Sequence, residues 1–152
     1  MLNNLSIEPM KGYGDLPFGM SIDDAIKKLG DPSLQEELEP LDEDGNRTVV
    51  LEYEESKLSI YFEGVTKTVI ESFSTENPES ILFGEKIFGM DKKGIVDFMK
   101  KKGYKEYEED EEEGELCLSY EDLMLDFYFD DDQLIDVLWG VIIDNQGNIV
   151  EV

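Results

Sequence analysis

The chain has no histidine and a single cysteine, Cys117, in 152 residues. Without histidine there can be no Ser-His or Cys-His nucleophile pair, and the commonest metal ligand is missing. One cysteine cannot form an internal disulfide, and Cys117 reads as a small apolar strand residue. Bases are scarce: 13 Lys and Arg stand against 38 Asp and Glu, a formal net charge of −25. Self-repulsion on that scale works against compaction and favours solubility. It sets the chain against nucleic acid and anionic membrane, both polyanions, and toward a basic protein surface. No apolar run approaches the roughly 18 residues needed to cross a bilayer. The opening residues, Met1-Leu2-Asn3-Asn4-Leu5-Ser6-Ile7-Glu8, form neither a basic n-region nor an apolar h-region. A cytoplasmic location is therefore expected.

What the chain does have is aromatic residues and internal similarity. Its 8 Phe, 7 Tyr and 1 Trp can build a core. Gly14-Asp15-Leu16-Pro17-Phe18-Gly19-Met20-Ser21 resembles Gly84-Glu85-Lys86-Ile87-Phe88-Gly89-Met90-Asp91. The segment from Leu51 to Glu63 aligns without gaps to that from Leu118 to Asp130, with six of 13 pairs identical, among them Tyr53/Tyr120 and Tyr61/Tyr128. A third block pairs Ile70-Glu71 with Ile135-Asp136. Matching blocks in the same order are the mark of an internal repeat.

Each Phe-Gly-Met is followed by a helix start. Ser21 is a good N-cap, Ile22, Ala25, Ile26 and Leu29 fall on one apolar face, and Gly30-Asp31-Pro32 ends the helix. Asp91 caps the second helix, Ile95, Phe98 and Met99 face inward, and Lys100 to Lys102 suit the C-terminal end of the dipole. Gly19 and Gly89 read as backbone positions that turn the chain into each helix. Apolar residues then alternate with polar ones, as in half-buried antiparallel strands. The fold class is α+β, with two tandem helix-plus-antiparallel-strand repeats forming one sheet that carries the helices on one face. Repeat 1 covers 1–78, with a helix about 21–29 and strands about 48–54, 57–63 and 67–74. Repeat 2 covers 79–152, with a helix about 91–102 and strands about 115–120, 123–130, 133–143 and 148–152. The two are expected to pack as one domain, joined near Asn77-Pro78-Glu79-Ser80.

The pattern Phe18-Gly19-Met20-Ser21, a short helix to Leu29-Gly30-Asp31-Pro32, then Tyr53 and a hairpin resembles the repeat unit of the SmpA/OmlA lipoproteins and the tandem-repeat beta-lactamase inhibitory proteins. The resemblance implies a helical segment packed on an antiparallel sheet. In the tandem inhibitors it implies a sheet surface that grips an enzyme. This chain lacks those inhibitors' paired cysteines and the lipoproteins' cysteine anchor.

Tyr61 and Tyr128 occupy equivalent positions on the polar face of equivalent strands, and alternation around Glu71 and Asp136 places Phe73 and Leu138 beside them. They read either as sheet packing or as aromatic and apolar anchors inside an acidic rim, a composition suited to an interface. Trp139 is expected on the core face with Ile135 and Val137. The tract Glu106 to Glu115, which includes Glu109, Asp110 and Glu111, reads as a solvated loop or as an electrostatic arm for a basic partner. Asp130, Asp131 and Asp132 belong to the same acidic set. Neither they nor Asp42-Glu43-Asp44-Gly45-Asn46 have the spacing of a calcium loop, and turns favour Asp, Gly and Asn for their own reasons. No catalytic residue, metal or cofactor is assigned.

The reading is an acidic protein-binding module, an immunity protein that occludes the active site of a basic toxin domain. Tyr61, Phe73, Tyr128 and Leu138 would anchor it, and Glu109, Asp110, Glu111, Asp130, Asp131 and Asp132 would pair with Lys or Arg. A non-enzymatic scaffold, monomeric or weakly dimeric through the edge Ile149-Val150-Glu151-Val152, is the alternative. An enzyme using paired carboxylates is a third.

Overall fold

Two helices begin where side chains stand ready to cap them. Along the chain, short strands β1 (Ser6–Glu8), β2 (Gly12–Tyr13) and β3 (Leu16–Pro17) precede α1 (Ile22–Leu29). Strands β4 (Leu34–Leu38), β5 (Arg47–Tyr53), β6 (Leu58–Gly64) and β7 (Val69–Thr75) follow. Then come β8 (Ile81–Leu82), β9 (Glu85–Lys86), α2 (Lys92–Lys101), β10 (Glu108–Glu112) and β11 (Glu115–Tyr120). The chain ends with β12 (Leu125–Asp130), β13 (Gln133–Gly140), β14 (Ile142–Ile143) and β15 (Ile149–Val150). This computed structural model describes residues 4–38 and 45–150. Asp42, Glu43 and Asp44 of the acidic segment and residues 151–152 of the C-terminal segment lie outside the described residues.

Ser21 Oγ accepts the Asp24 N–H at 3.2 Å, and Asp91 Oδ1 accepts the Gly94 N–H at 2.8 Å. Each bond satisfies one amide that the first helical turn leaves without a carbonyl. Gly30, at φ 85°, ends α1 with its N–H on the Ile26 carbonyl at 2.7 Å. Gly19, at φ 91°, makes the turn ahead of α1 and donates to Ile70 O at 3.0 Å. Ile70 returns the bond to Met20 O at 2.9 Å, so the approach to the helix is pinned to β7.

Among the described residues the main sheet has eight strands in the order β10-β11-β12-β13-β7-β6-β5-β4, every pair antiparallel. The fold is α+β, and its hydrophobic core lies on one face of this sheet. Leu51, Ile60, Phe62, Phe73, Leu118, Phe127, Phe129, Val137 and Trp139 point into it. Ala25 of α1 and Ile95, Phe98 and Met99 of α2 close over them. A second sheet, β3-β2-β1-β8-β9, adds Ile7, Tyr13, Leu16 and Leu82 to the same core. Its β1 and β8 run parallel, bringing Ser6 and Ile7 against Ile81 and Leu82, just after β7. Tyr13 Oη and Ser80 Oγ share a buried hydrogen bond of 2.7 Å, and the Trp139 Nε1–H donates to Gly12 O at 3.0 Å. Gly12 has φ 152°, and a side chain there would meet the Leu16 carbonyl at 2.0 Å, so that position takes only glycine.

Several elements depart from the sequence reading. The acidic tract is not a loop: residues 108–112 form edge strand β10, paired with β11 from Glu108↔Ser119 to Glu112↔Glu115. The strand expected at 123–130 starts at Leu125, because Glu121–Leu123 make a 3-10 turn. The strand expected at 133–143 stops at Gly140. There a side chain would press within 2.8 Å of Glu71 O, and Val141 leaves the main sheet while its N–H still bonds Glu71 O. The final hairpin, β14 with β15, is a separate two-stranded sheet.

Both β7 and β13 carry a bulge, and the bulges decide which side chains reach the open face. Tyr61 pairs with Ser72 and Phe62 with Ile70, which leaves Glu71 as the extra residue. Tyr128 pairs with Asp136 and Phe129 with Leu134, which leaves Ile135 extra. An extra residue resets the alternation beyond it. Phe73 therefore faces the core, fully buried, with the ring of Trp139 stacked on it at 5.4 Å. It is no surface anchor. Ile135, expected in the core, is exposed, and Leu134 takes the inward place.

Candidate functional site

The sheet face opposite the helices is the candidate site. Alternation sends Ser59 and Tyr61 of β6, Ser72 and Ser74 of β7, Asp136 and Leu138 of β13, and Asp126 and Tyr128 of β12 to that side. Glu52 of β5, Cys117 of β11 and Asp110 of β10 extend it toward both edges. Tyr61, Tyr128 and Leu138 are half-buried, ordered by their neighbours while keeping a free surface.

Asp136 is the polar centre of this face. It lies directly across from Tyr128, and Ser74 Oγ donates to its Oδ1 at 2.8 Å. Burial pushes its carboxyl pKa from 3.8 up to about 6. The Ser74 hydrogen bond opposes that shift, and repulsion from Glu76 and Glu115 adds to it. Tyr61 is raised by burial and then by the negative charges of Asp136 and Glu52. Tyr128 is raised by burial, with Cys117, Asp126 and Asp136 contributing. Burial also raises the Cys117 thiol, which disfavours the reactive thiolate. A depression of ≈ 410 Å³ beside Asp136 is lined by Glu52, Lys57, Ser59, Tyr61, Ser74 and Glu76.

The unfolded chain gives up this proton near pH 3.8 and the folded chain near pH 6. Between those values the folded state holds more protons, so stability falls as pH rises through the window. Asp136 is partly exposed, and solvent screening reduces its cost above pH 6 to about 1 kcal/mol. Asp136→Asn is expected to stabilise the protein by about 1 kcal/mol at pH 7.5 and to change little below about pH 4. Urea denaturation at both pH values checks this; a variant less stable at pH 7.5 would mean that the Ser74 bond to the charged form dominates.

The acidic candidates divide. Asp110 faces the open side, paired across from Cys117, and Asp130 ends β12 on that side, paired with Gln133. Glu109 and Glu111 project from the other face of β10, and Glu109 forms an ion pair with Lys92 Nζ at 2.5 Å. Asp131 and Asp132 make the β12–β13 turn at φ 50° and 61°, the left-handed pair that a two-residue hairpin needs. Asp132 Oδ1 accepts the Lys92 N–H at 3.1 Å. Glu109 and Asp132 thus meet at the start of α2, away from the tyrosines. Asp136, Ser74 and Glu52 were missed as site residues; only the cross-strand register could have revealed them. Among the described residues, no group of three or more acidic or cysteine side chains is gathered to hold a metal. This face sets two phenols, Tyr61 and Tyr128, and the aliphatic side chain of Leu138 among carboxylates.

The chain matches no protein-family model and no curated protein sequence. Among solved structures it is similar to an extracellular protein containing a SCP domain from Bacillus anthracis str. Ames, with 15% sequence identity and a TM-score of 0.46. The likeness covers 92% of this chain and 48% of that one, so this chain spans about half that protein's length.

Proposed function

We propose that the protein is a tandem duplication that works as a binding module, docking a basic protein on its open sheet face. Support for the duplication comes from the strand order. A helix followed by β4 to β7 and a helix followed by β10 to β13 meet at the β7–β13 pair, with β4 and β10 as the two edges. The bulges add to it, since each lies opposite the step from Tyr61 to Phe62 or from Tyr128 to Phe129. On this alignment Leu134-Ile135, rather than Ile135-Asp136, corresponds to Ile70-Glu71.

The observation that carries the binding role is the composition of the open face. Tyr61, Tyr128 and Leu138 lie among Glu52, Asp110, Asp126 and Asp136, and no Lys or Arg occupies an open-face position on any described strand of the main sheet. Apolar and aromatic anchors supply affinity, and a single-sign rim supplies partner choice and association rate. An immunity protein that covers the active site of a toxin domain in the cytoplasm fits this composition. So does the resemblance to tandem inhibitors, whose sheet surface grips an enzyme.

The test is a pull-down from the native host with the neighbouring gene product co-expressed. Wild-type protein is compared with the triple variant Glu52→Lys, Asp126→Lys, Asp136→Lys. Wild type should retain a basic protein at about 0.1 M salt and release it toward about 1 M, where the Debye length falls from about 10 Å to about 3 Å. The triple variant should retain none. Retention indifferent to both salt and the substitutions would overturn the reading.

A further inference from the structure

We infer that a groove at one end of the open face binds a basic amphipathic helix of the partner. The inference deepens the docking role proposed above and rests on it. The groove, of ≈ 860 Å³, has an apolar floor of Met10, Met124, Leu138 and Ile142. Ile142 is 47% exposed, high for an isoleucine, and the other three are half-buried. Methionine adapts its shape to whatever packs on it, which suits a docking floor more than a rigid core.

The rim is acidic. Glu71, Glu121, Asp122 and Asp126 border the groove, and no Lys or Arg lines it. None of the four belongs to an ion pair among the described residues. An occupant must therefore bring apolar side chains to the floor and cations to the rim.

Backbone hydrogen bonding selects a helix. The groove crosses β7, β13 and β12, interior strands paired on both sides, and ends at Met10 and at the two-residue strand β14, which pairs with β15 on one side. An extended segment lying there could bond at most the two residues of β14 and would leave most of its own amides unmet. A helix satisfies its amides internally and presents a row of apolar residues flanked by Lys or Arg. A helix of about 16 residues, about 24 Å long, supplies about four turns of such a row.

The probe is a synthetic Leu/Lys peptide of that length with leucines at helical spacing, compared with one of the same composition in scrambled order. Affinity for the full chain is measured by fluorescence anisotropy at about 0.1 M salt. The helical pattern should bind about tenfold more tightly, and Leu138→Asp and Ile142→Asp should each remove that preference. Ile142 is exposed, so its variant reports on docking even if the Leu138 variant folds poorly. If both peptides bind equally and neither variant matters, the acidic-face reading stands and the groove inference is overturned. If neither peptide binds wild type, both are overturned.

Discussion

Replacing Trp139 with alanine is expected to cost about 4–6 kcal/mol and to leave much of the chain unfolded at room temperature. The indole is 1% exposed and lies on β13, one of the two strands at the middle of the main sheet. Phe73 of β7 stacks on it at 5.4 Å, and the Tyr13 ring meets it edge-on at 5.4 Å. Its Nε1–H reaches Gly12 O at 3.0 Å, tying the small N-terminal sheet to the large one. Truncation opens a cavity worth about 3–5 kcal/mol and strands a buried carbonyl worth about 1 kcal/mol more. Domains of this kind hold only about 5–15 kcal/mol in total. Here a net charge of −25 already works against compaction. Trp139→Phe keeps an aromatic ring in the stack and should lose only about 1–2 kcal/mol. Because Trp139 is the chain's single tryptophan, far-UV circular dichroism rather than intrinsic fluorescence must follow the unfolding. An alanine variant within about 1 kcal/mol of wild type would show that the indole does not join the two sheets.

The parts of the fold legible in the sequence are those specified by short-range chemistry. Ser21 and Asp91 are N-caps because capping needs only a short polar side chain and a free amide three residues on. The β5–β6 and β12–β13 hairpins follow from alternation and from polar turn residues. Edge strands β4 and β10 were not legible. Glu108-Glu109-Asp110-Glu111-Glu112 has low strand propensity and reads as a solvated run. What orders it is the backbone ladder to β11, a non-local partner that composition does not announce. The strands β1, β2, β3, β8 and β9 are only two or three residues long, too short to show a period. The candidate site was half legible. Alternation holds at Tyr61, Tyr128 and Leu138, so the face each occupies can be read from the sequence. Asp136 was found as an alternation marker but not as the polar centre, since that role depends on Ser74, 62 residues away in the chain. Plain alternation puts Phe73 on the open face, and the extra residue Glu71, which the sequence does not mark as a bulge, turns it to the core.

Phe73 and Tyr61 lie on neighbouring strands one register step apart, and the bulge gives them opposite fates. Phe73 pairs with Ile60, and Tyr61 pairs with Ser72. If Glu71 were a regular strand position, Phe73 and Tyr61 would share the open face, and truncating either would cost little. With Glu71 bulged, Phe73 is fully buried against Phe18 at 5.3 Å, Tyr13 at 6.0 Å and Trp139 at 5.4 Å. Phe73→Ala is then expected to cost about 3–5 kcal/mol, from lost apolar burial and the cavity left behind. Tyr61→Ala removes a half-exposed ring with no stacking partner among the described ring contacts, and should cost about 1 kcal/mol or less. Urea denaturation of the two variants measures both numbers under one condition. Binding should reverse the ranking: Tyr61→Ala should weaken a basic partner while leaving the fold intact, and Phe73→Ala should affect binding only through loss of folded protein. Equal, small stability losses for the two would place Phe73 on the open face and remove the bulge from β7.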